Sequence, residues 1–355
     1  MRGSGITVMM VGVGRVYEEY FETALGIWGE NRQILLDIDP QRIAAVSPES
    51  PVLSDDRYLP AEISNLSAGE RLKIVADAQD LPFSFQEWPE GERLGLVGIV
   101  ATPNHLEVMH SLARAGFLKL IVEKPLVNNL REVEELKDLL EINPSLKIYP
   151  LDFYVQKIAP LLVLTGKITP DDPRWDWVVM GNGERVLPEI CGTLEERIGK
   201  IEGVQATIFE GGKLGLPDLA ERTWLEQDKK RGGMLLDLGT HALAPLGAAG
   251  LFSAEQTKVE CAYGHVFNQD RSSYRSSRPY EAEMHAQALL TLKRDQKDIP
   301  LILEVGKTFH AGGMWHLVIR GEQGNVFMGL RTGDSLVLVP KKRGEELLHL
   351  SLREG

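Results

Sequence analysis

Two ionisable side chains stand in a pattern that suits proton transfer. Asp237 and His241 are four residues apart in the segment Gly232-Gly233-Met234-Leu235-Leu236-Asp237-Leu238-Gly239-Thr240-His241. If the glycine pair opens a helix, both side chains project from one helix face. A histidine titrates near neutral pH, and a neighbouring carboxylate can hold its orientation, so this pair could exchange a hydroxyl proton. The alternative is a solvated helix face without a chemical role.

A glycine turn near the N-terminus predicts a dinucleotide site. An apolar strand over residues 6–11 leads into Gly12-Val13-Gly14-Arg15-Val16-Tyr17, then a helix over 18–28 and a strand over 34–36 that ends at Asp37. The first glycine permits a tight turn, and the second lets the backbone approach a pyrophosphate. Asp37 would accept hydrogen bonds from the ribose and repel a 2′-phosphate, which favours NAD over NADP. Tyr17 stands where Gly or Ala is usual, so the turn of some other α/β protein stays open.

Two further strands end in polar segments. The strand Leu96–Val100 leads into Ala101-Thr102-Pro103-Asn104 and a helix over residues 105–115 that stops at Gly116, and the next strand runs into Glu123-Lys124-Pro125. Ligands of doubly wound sheets lie outside the carboxyl ends of the strands, so both segments should converge on the cofactor. Lys124, beside a positively charged nicotinamide in a partly dry cleft, could then donate, accept or relay a proton. A structural salt bridge is the alternative. We also predict a cis Lys124–Pro125 bond.

These motifs together resemble the glucose–fructose oxidoreductase and inositol dehydrogenase (Gfo/Idh/MocA) family. That family has TPN after one strand, EKP after the next, and a second-domain motif GG-x-x-x-D-x-G-x-H, which residues 102–104, 123–125 and 232–241 match. Trp224 precedes the last motif at a familiar distance, and residues 321–324 resemble the family's late G-x-x-G turn. The order and spacing of the motifs cover most of the chain, although the stretch 46–93 is longer than usual.

The resemblance implies an NAD(P)-dependent oxidoreductase that transfers a hydride between nicotinamide and a hydroxyl or carbonyl carbon of a sugar, cyclitol or sugar derivative. It implies a catalytic set of Lys124, Asp237 and His241: His241 exchanges the hydroxyl proton, Asp237 positions the sugar or the histidine, and Lys124 completes the hydrogen bonds. The sequence leaves open whether Lys124 or His241 is the base. The cofactor is expected to be NAD, with NADP possible, and its predicted contacts are Gly12, Gly14, Arg15, Val16, Asp37, Thr102, Pro103, Asn104, Glu123, Lys124 and Pro125.

Substrate contacts are predicted at Asp152, Tyr154, Lys157 and Trp224. The D-x-Y-x-x-K spacing of residues 152–157 resembles glucose-6-phosphate dehydrogenases, whose D-H-Y-x-x-K helps to bind the sugar phosphate, but Phe153 replaces the histidine. Tyr154 and Lys157 could offer a hydroxyl and a cation to a phosphate or a polyhydroxylated ring. The alternative is a strand entering a helix, with Tyr154 packed and Lys157 solvated.

Composition narrows the class of protein. The 355 residues are 43% hydrophobic and 25% charged, which is typical of a globular chain with room for two domains. A net charge of -12 without a basic cluster argues against nucleic acid, and no apolar run is long enough for a membrane span. Cys191 and Cys261 form no CxxC pair, and no leader precedes the first strand, so we expect a cytoplasmic protein. No metal-binding motif is present, and no metal is expected.

The predicted fold class is α/β with two domains. Residues 1–150 should form a Rossmann domain with a doubly wound parallel sheet, ending after a helix over 130–141 and a strand over 146–149. Residues 151–355 should form an α+β domain for substrate binding and oligomerisation, with a large, mostly antiparallel, open-faced sheet. Its strands are predicted at 204–209, 257–263, 286–292, 301–305, 316–320, 326–328, 335–339 and 346–352. The family dimerises through this open face, so a homodimer or homotetramer is expected.

Two other functions stay open beside the leading one. One is a dehydrogenase for a phosphorylated or acidic sugar anchored by Lys157. The other is a non-catalytic NAD(P)-binding sensor or regulator of the same fold. The joint presence of Lys124, Asp237 and His241 argues against a regulator, because a sensor does not need a proton-transfer set.

Overall fold

The computed structural model describes residues 6–14, 17, 31–46, 52–54, 62–63, 65–75, 81, 83–102, 104–211, 233–265, 282–294, 297–307, 313–331 and 334–353. The contacts divide the chain into two compact units, Met1–Leu151 and Asp152–Gly355. The predictions for Arg15, Val16, the helix over 18–28, Pro103, Trp224 and Gly232 lie outside the described residues.

The first unit is built on a parallel sheet. Within the described residues it has seven strands in the order β3-β4-β2-β1-β5-β6-β7, all paired in parallel. The strands are β1 (Thr7–Val11), β2 (Arg32–Leu36), β3 (Val52–Ser54), β4 (Arg71–Val75), β5 (Leu96–Val100), β6 (Lys119–Glu123) and β7 (Lys147–Leu151). The strand order reverses at β1, which has β2 on one side and β5 on the other. Doubly wound folds bind their ligands at such a reversal.

Four helices of this unit lie in the described residues: α1 (Pro40–Val46), α2 (Glu90–Arg93), α3 (His105–Ala115) and α4 (Leu130–Ile142). The predicted bounds of α3 are confirmed, and Gly116 ends it in the left-handed conformation at φ 101°. Asn129 begins α4 because its side chain accepts a hydrogen bond from the amide of Glu132 at 3.0 Å. The carboxylate of Glu132 in turn accepts from the Asn128 amide at 2.8 Å, as in a capping box.

The second unit is built on a mostly antiparallel sheet. Its described strands lie in the order β10-β11-β12-β9-β13-β14-β15-β16-β8, and within them only β9 and β12 pair in parallel. They are β8 (Val178–Met180), β9 (Ile201–Glu210), β10 (Thr257–His265), β11 (His285–Arg294), β12 (Lys297–Lys307), β13 (Met314–Gly321), β14 (Gly324–Gly329), β15 (Ser335–Pro340) and β16 (Leu348–Leu352). The predicted turn over residues 321–324 joins β13 to β14.

The described helices of this unit cover one face of the sheet, and no described helix covers the other. They are α5 (Phe153–Lys157), α6 (Ala159–Leu164), α7 (Leu194–Ile198) and α8 (Met234–Ala248). Alternation along β12 buries Leu301 and Leu303 on the same side as Leu238 of α8, while Ile302 on the opposite face is 43% exposed. The fold is therefore α/β, with a Rossmann-type parallel sheet and a second, open-faced sheet, as the sequence predicted.

Gly12 provides a test of the first turn. Its φ of 92° is a left-handed conformation, and a Cβ atom there would lie 2.6 Å from the carbonyl oxygen of Ala101. We expect Gly12→Ala to lower the free energy of unfolding by about 2–4 kcal/mol, because the side chain is strained and meets backbone. Gly91→Ala is the matched control, since nothing lies within 4 Å of its Cβ position. Urea unfolding of both variants decides, and an equal effect at the two sites would contradict the assignment.

Candidate active site

The second unit contains a buried histidine–carboxylate pair. His241 lies on α8, and its Nδ1 is 2.9 Å from each carboxylate oxygen of Asp152. His241 is 7% exposed and Asp152 is 8% exposed. Asp152 is itself oriented, because its Oδ1 accepts the amide hydrogen of Tyr154 at 2.8 Å. A carboxylate on Nδ1 fixes the Nδ1–H tautomer, makes Nε2 the nitrogen that accepts a proton, and stabilises the imidazolium that results.

The start of α8 explains the second glycine of the sequence motif. Gly233 has a φ of 97°, and a Cβ atom there would overlap the carboxylate of Glu283. Glu283 holds the first turn of the helix, since its carbonyl accepts from the Met234 amide at 3.0 Å and its carboxylate accepts from the Leu235 amide at 3.0 Å. Negative charge at a helix N-terminus is stabilising. This anchoring fixes where α8 begins and hence where His241 lies.

The histidine is held by a different aspartate from the one that local spacing suggested. Asp237 is buried on α8 one turn before His241, as predicted. The carboxylate facing Nδ1, however, belongs to Asp152, which the sequence placed among the substrate contacts. Asp152 therefore makes a contact with Nδ1 of the kind that was one of two options for Asp237, and the role of Asp237 stays a prediction. The chain separation of 89 residues explains why spacing alone could not find this contact.

Aromatic rings and a lysine line the same region. The Tyr154 ring lies 4.3 Å from the His241 ring and 5.0 Å from the Trp315 ring, measured between centroids. The Lys157 ammonium lies 4.7 Å from the Tyr154 centroid and 5.7 Å from that of Trp315, in cation–π geometry. Burial lowers the pKa of Lys157 below its ordinary value, against the opposing effect of Asp334 and Asp152. Tyr154 is thus packed, while Lys157 is not a simple solvated cation.

Nothing in the sequence indicated Asp334, and at Trp315 the sequence favoured a hairpin over the rim of a pocket. The Trp315 ring lies beside Tyr154 because β13 pairs with β9. That pairing sets Trp315 opposite Ile208, and its indole N–H donates to the Phe209 carbonyl at 2.7 Å. The two paired strands are distant in sequence, and the local sequence of either strand does not indicate that they pair.

The glycine turn of the first unit fits a dinucleotide. Gly12 and Gly14 follow β1, and among the described residues a Cβ atom at Gly14 would meet only the guanidinium of Arg42, at 3.7 Å. As far as the described residues show, the turn therefore leaves room for a pyrophosphate to approach the backbone. Asp37 is buried and ties this turn to β2, because its Oδ2 accepts from the Val13 amide at 2.8 Å. Its Oδ1 accepts from the Asp39 amide at 2.8 Å, so the predicted contact with ribose would use the remaining lone pairs.

His105 joins the two polar segments that follow β5 and β6. Its Nδ1 lies 2.5 Å from the carbonyl oxygen of Pro125, so Nδ1–H is the donor. Burial lowers the pKa of His105 to about 4, with the Pro125 contact opposing the shift and the charge of Lys124 adding to it. The predicted cis Lys124–Pro125 bond is confirmed. The described members of the two segments are all half-buried: Thr102, Asn104, Glu123, Lys124 and Pro125.

The described residues contain neither a candidate metal site nor a helix that could span a membrane. No group of three or more His, Cys, Asp or Glu residues there could hold a metal ion. No helix in that part of the chain has the length and apolar character needed to cross a bilayer.

Comparison with known proteins adds information on the fold. No protein-family model matches the sequence, and no curated protein sequence matches it. Among solved structures, the WlbA dehydrogenase from Chromobacterium violaceum, in complex with NADH and UDP-GlcNAcA, is 14% identical over 100% of this chain and 79% of its own, with a TM-score of 0.59. A levoglucosan dehydrogenase with NADH and levoglucosan is 14% identical over 98% of this chain and 80% of its own, at 0.62. KijD10, a 3-ketoreductase from Actinomadura kijaniata with NADP, is 17% identical over 98% and 85%, at 0.61.

These likenesses define the class of fold. At such low identity they show that the chain has the Gfo/Idh/MocA-like fold. Each ligand named belongs to the protein with which it was solved.

The buried His105 predicts a pH dependence of stability. In the unfolded chain it protonates near pH 6.5, but in the folded chain only at about pH 4. The free energy of unfolding should therefore fall as the pH drops through this window, with a contribution of about 3 kcal/mol at pH 4. His105→Asn keeps a donor for Pro125 but lacks the titration. Urea unfolding between pH 7 and pH 4 should show the wild type losing more stability than the variant, and parallel losses would contradict the prediction.

Proposed function

We propose that the protein is an oxidoreductase that uses NAD(H) or NADP(H) and transfers a hydride to or from a sugar, cyclitol or sugar derivative. The Asp152–His241 pair carries the proposal, because a buried, oriented histidine suits the exchange of a hydroxyl proton. The fold supports it, since two solved structures with this fold hold NADH together with UDP-GlcNAcA or levoglucosan, and a third holds NADP. The motifs at residues 102–104, 123–125 and 232–241 support membership of the Gfo/Idh/MocA family.

The first unit would hold the cofactor. The nicotinamide, when bound, supplies the hydride acceptor for an alcohol or the hydride donor for a carbonyl. Gly12 and Gly14 would lie against the pyrophosphate, and Asp37 would accept from the adenosine ribose, which favours NAD. The remaining proposed contacts are Arg15, Val16, Thr102, Pro103, Asn104, Glu123, Lys124 and Pro125.

The second unit would manage the proton. Nε2 of His241 accepts the hydroxyl proton of an alcohol during oxidation and returns it during reduction. Asp152 is the positioning residue, because it holds Nδ1–H and stabilises the imidazolium. This contact supports His241, rather than Lys124, as the base. In this proposal Asp237 accepts hydrogen bonds from the substrate hydroxyls, and Lys124 keeps the hydrogen-bonding role that the family resemblance implies.

The rings beside His241 would form part of the substrate pocket. Tyr154 and Trp315 offer apolar surface, and Lys157 offers an ammonium held between them. Asp152 and Asp334 already interact with that ammonium, so it is a weaker anchor for a phosphate than a lysine without acidic neighbours. Trp224 is kept as a proposed contact on the motif alone.

Oligomerisation stays a prediction. The open face of the second sheet exposes several large apolar side chains, which supports a homodimer or homotetramer: Leu289, Ile302, Met314 and Phe327.

His241 gives the direct test of the proposed activity. NAD and NADP are each combined with a panel of neutral sugars, cyclitols and sugar phosphates, and the absorbance of the reduced nicotinamide is followed. His241→Ala should lower kcat by about 10²- to 10⁴-fold, because the proton acceptor is lost. The affinity for NADH, measured by fluorescence titration, should stay nearly unchanged. The exposed His349 gives the control variant His349→Ala, and unchanged turnover in His241→Ala would refute the role. NADH binding without turnover of any panel member would instead favour the sensor.

Asp152 is tested through the division of its effect between kcat and KM. Asp152→Asn keeps the size but loses the charge that stabilises the imidazolium, so kcat should fall by about 10²- to 10⁴-fold at a similar KM. Asp152→Glu should recover part of kcat. Asp176→Asn, at an exposed ion pair with Arg185, is the control. A loss confined to KM would make Asp152 a substrate contact and remove its positioning role.

A further inference from the structure

A buried ion pair lies at the carboxyl ends of β9 and β12. Lys307 ends β12, Glu210 ends β9, and the two are register partners in the parallel pair. The Lys307 ammonium contacts the Glu210 carboxylate. The lysine side chain is 0% exposed and the glutamate side chain 10% exposed, so only the glutamate reaches solvent.

Stability alone is a poor reason for this pair. The cost of removing two charges from water is about as large as the energy that their attraction returns. A protein with well-packed apolar residues in their place is often as stable or more stable. The neighbours two residues earlier, Val305 and Ile208, are such apolar residues on the same sheet face. A charged pair in this position therefore points to a role beyond packing.

The pair lies on the same side of the sheet as His241. Trp315 is opposite Ile208 and so shares a face with Glu210, which follows two residues later. The indole of Trp315 donates to the carbonyl of Phe209, the residue directly before Glu210. Trp315 in turn contacts Tyr154, whose ring contacts His241. Trp315 thus lies between the strand end that carries Glu210 and the Tyr154 ring that contacts His241.

We propose that Glu210 recognises the substrate and that Lys307 is its positioning residue. A carboxylate accepts hydrogen bonds from hydroxyl groups, whereas the oxygens of a carboxylate or a fully ionised phosphate have no proton to donate to it. Lys307 lies against Glu210, where its charge fixes the orientation of the carboxylate. The substrate class is then an uncharged polyhydroxylated ring, with hydroxyls that donate to Glu210. This inference rests on the proposed function, because it concerns the same site.

The test uses the full-length protein saturated with NADH. The probes are myo-inositol, D-glucose and glucose 6-phosphate, and their affinities are measured by calorimetry and thermal shift. Removing one partner would leave a buried charge, so the main variant is the double substitution Glu210→Gln with Lys307→Met. Glu202→Gln is the matched control, since Glu202 lies on the same strand in an exposed pair with Lys341.

The wild-type protein should bind a neutral probe more tightly than it binds glucose 6-phosphate. The double variant should keep its circular dichroism spectrum and NADH affinity but bind that probe about tenfold or more weakly. Glu202→Gln should match the wild type. Wild-type affinity in the double variant would make the pair structural and overturn the inference, as would tighter binding of the phosphate ester. If NADH binds but no neutral probe binds, the proposed substrate class is wrong, and the proposed function is not affected. If NADH does not bind, both the proposed function and this inference are wrong.

Discussion

A histidine that gains and loses a proton inside a packed layer needs a fixed negative partner on its far nitrogen. Without one, burial disfavours the imidazolium, and the ring can adopt either tautomer. Asp152 would meet this need in the role proposed for His241, and the amide of Tyr154 orients Asp152 in turn. The turn that carries Asp152 and Tyr154 therefore has to meet α8 at the third turn of that helix. The sheet beneath α8, the anchoring of its first turn by Glu283 and the burial of Tyr154 all serve this contact.

Local patterns predicted most of the fold because they reflect local physics. The span of α3 follows from its apolar spacing and from Gly116, and α8 follows from the glycine pair that precedes it. Eight of the nine described second-unit strands were predicted; seven of these predictions are too short, and the eighth, over 346–352, begins two residues before β16. In β12 the predicted strand began at Leu301, directly after Pro300, but the observed strand extends back to Lys297 with Pro300 opposite Thr291. The strand Val178–Met180 was not predicted, since three residues give no period to detect.

Local sequence patterns predicted the candidate site less well than they predicted the fold. Asp237 was predicted as a partner for His241 because residues four apart lie on the same face of a helix. This spacing rule gives no information on residues outside the helix. The actual partner, Asp152, had been selected through a family resemblance and for another role. Trp315 and Lys307 depend on pairing between strands about a hundred residues apart, and their sequence surroundings carry no chemical signature. Candidate site residues were therefore predicted where they lie in one helix or one turn. They were not predicted where contacts between distant strands and helices bring them together.

One topological rule nevertheless organises both units. In a parallel pair the two strands end at the same edge, so the residues that follow them are brought together without further constraint. In the first unit this rule gathers Gly12, Asp37 and Lys124 after β1, β2 and β6. In the second unit most pairs are antiparallel, and the single parallel pairing among the described strands, β9 with β12, again ends in charged side chains. Because β13 runs antiparallel to β9, its first residues return to that same edge, and Trp315 is among them. The parallel pair in an otherwise antiparallel sheet is thus what gives this unit an edge on which acidic, basic and aromatic side chains can meet.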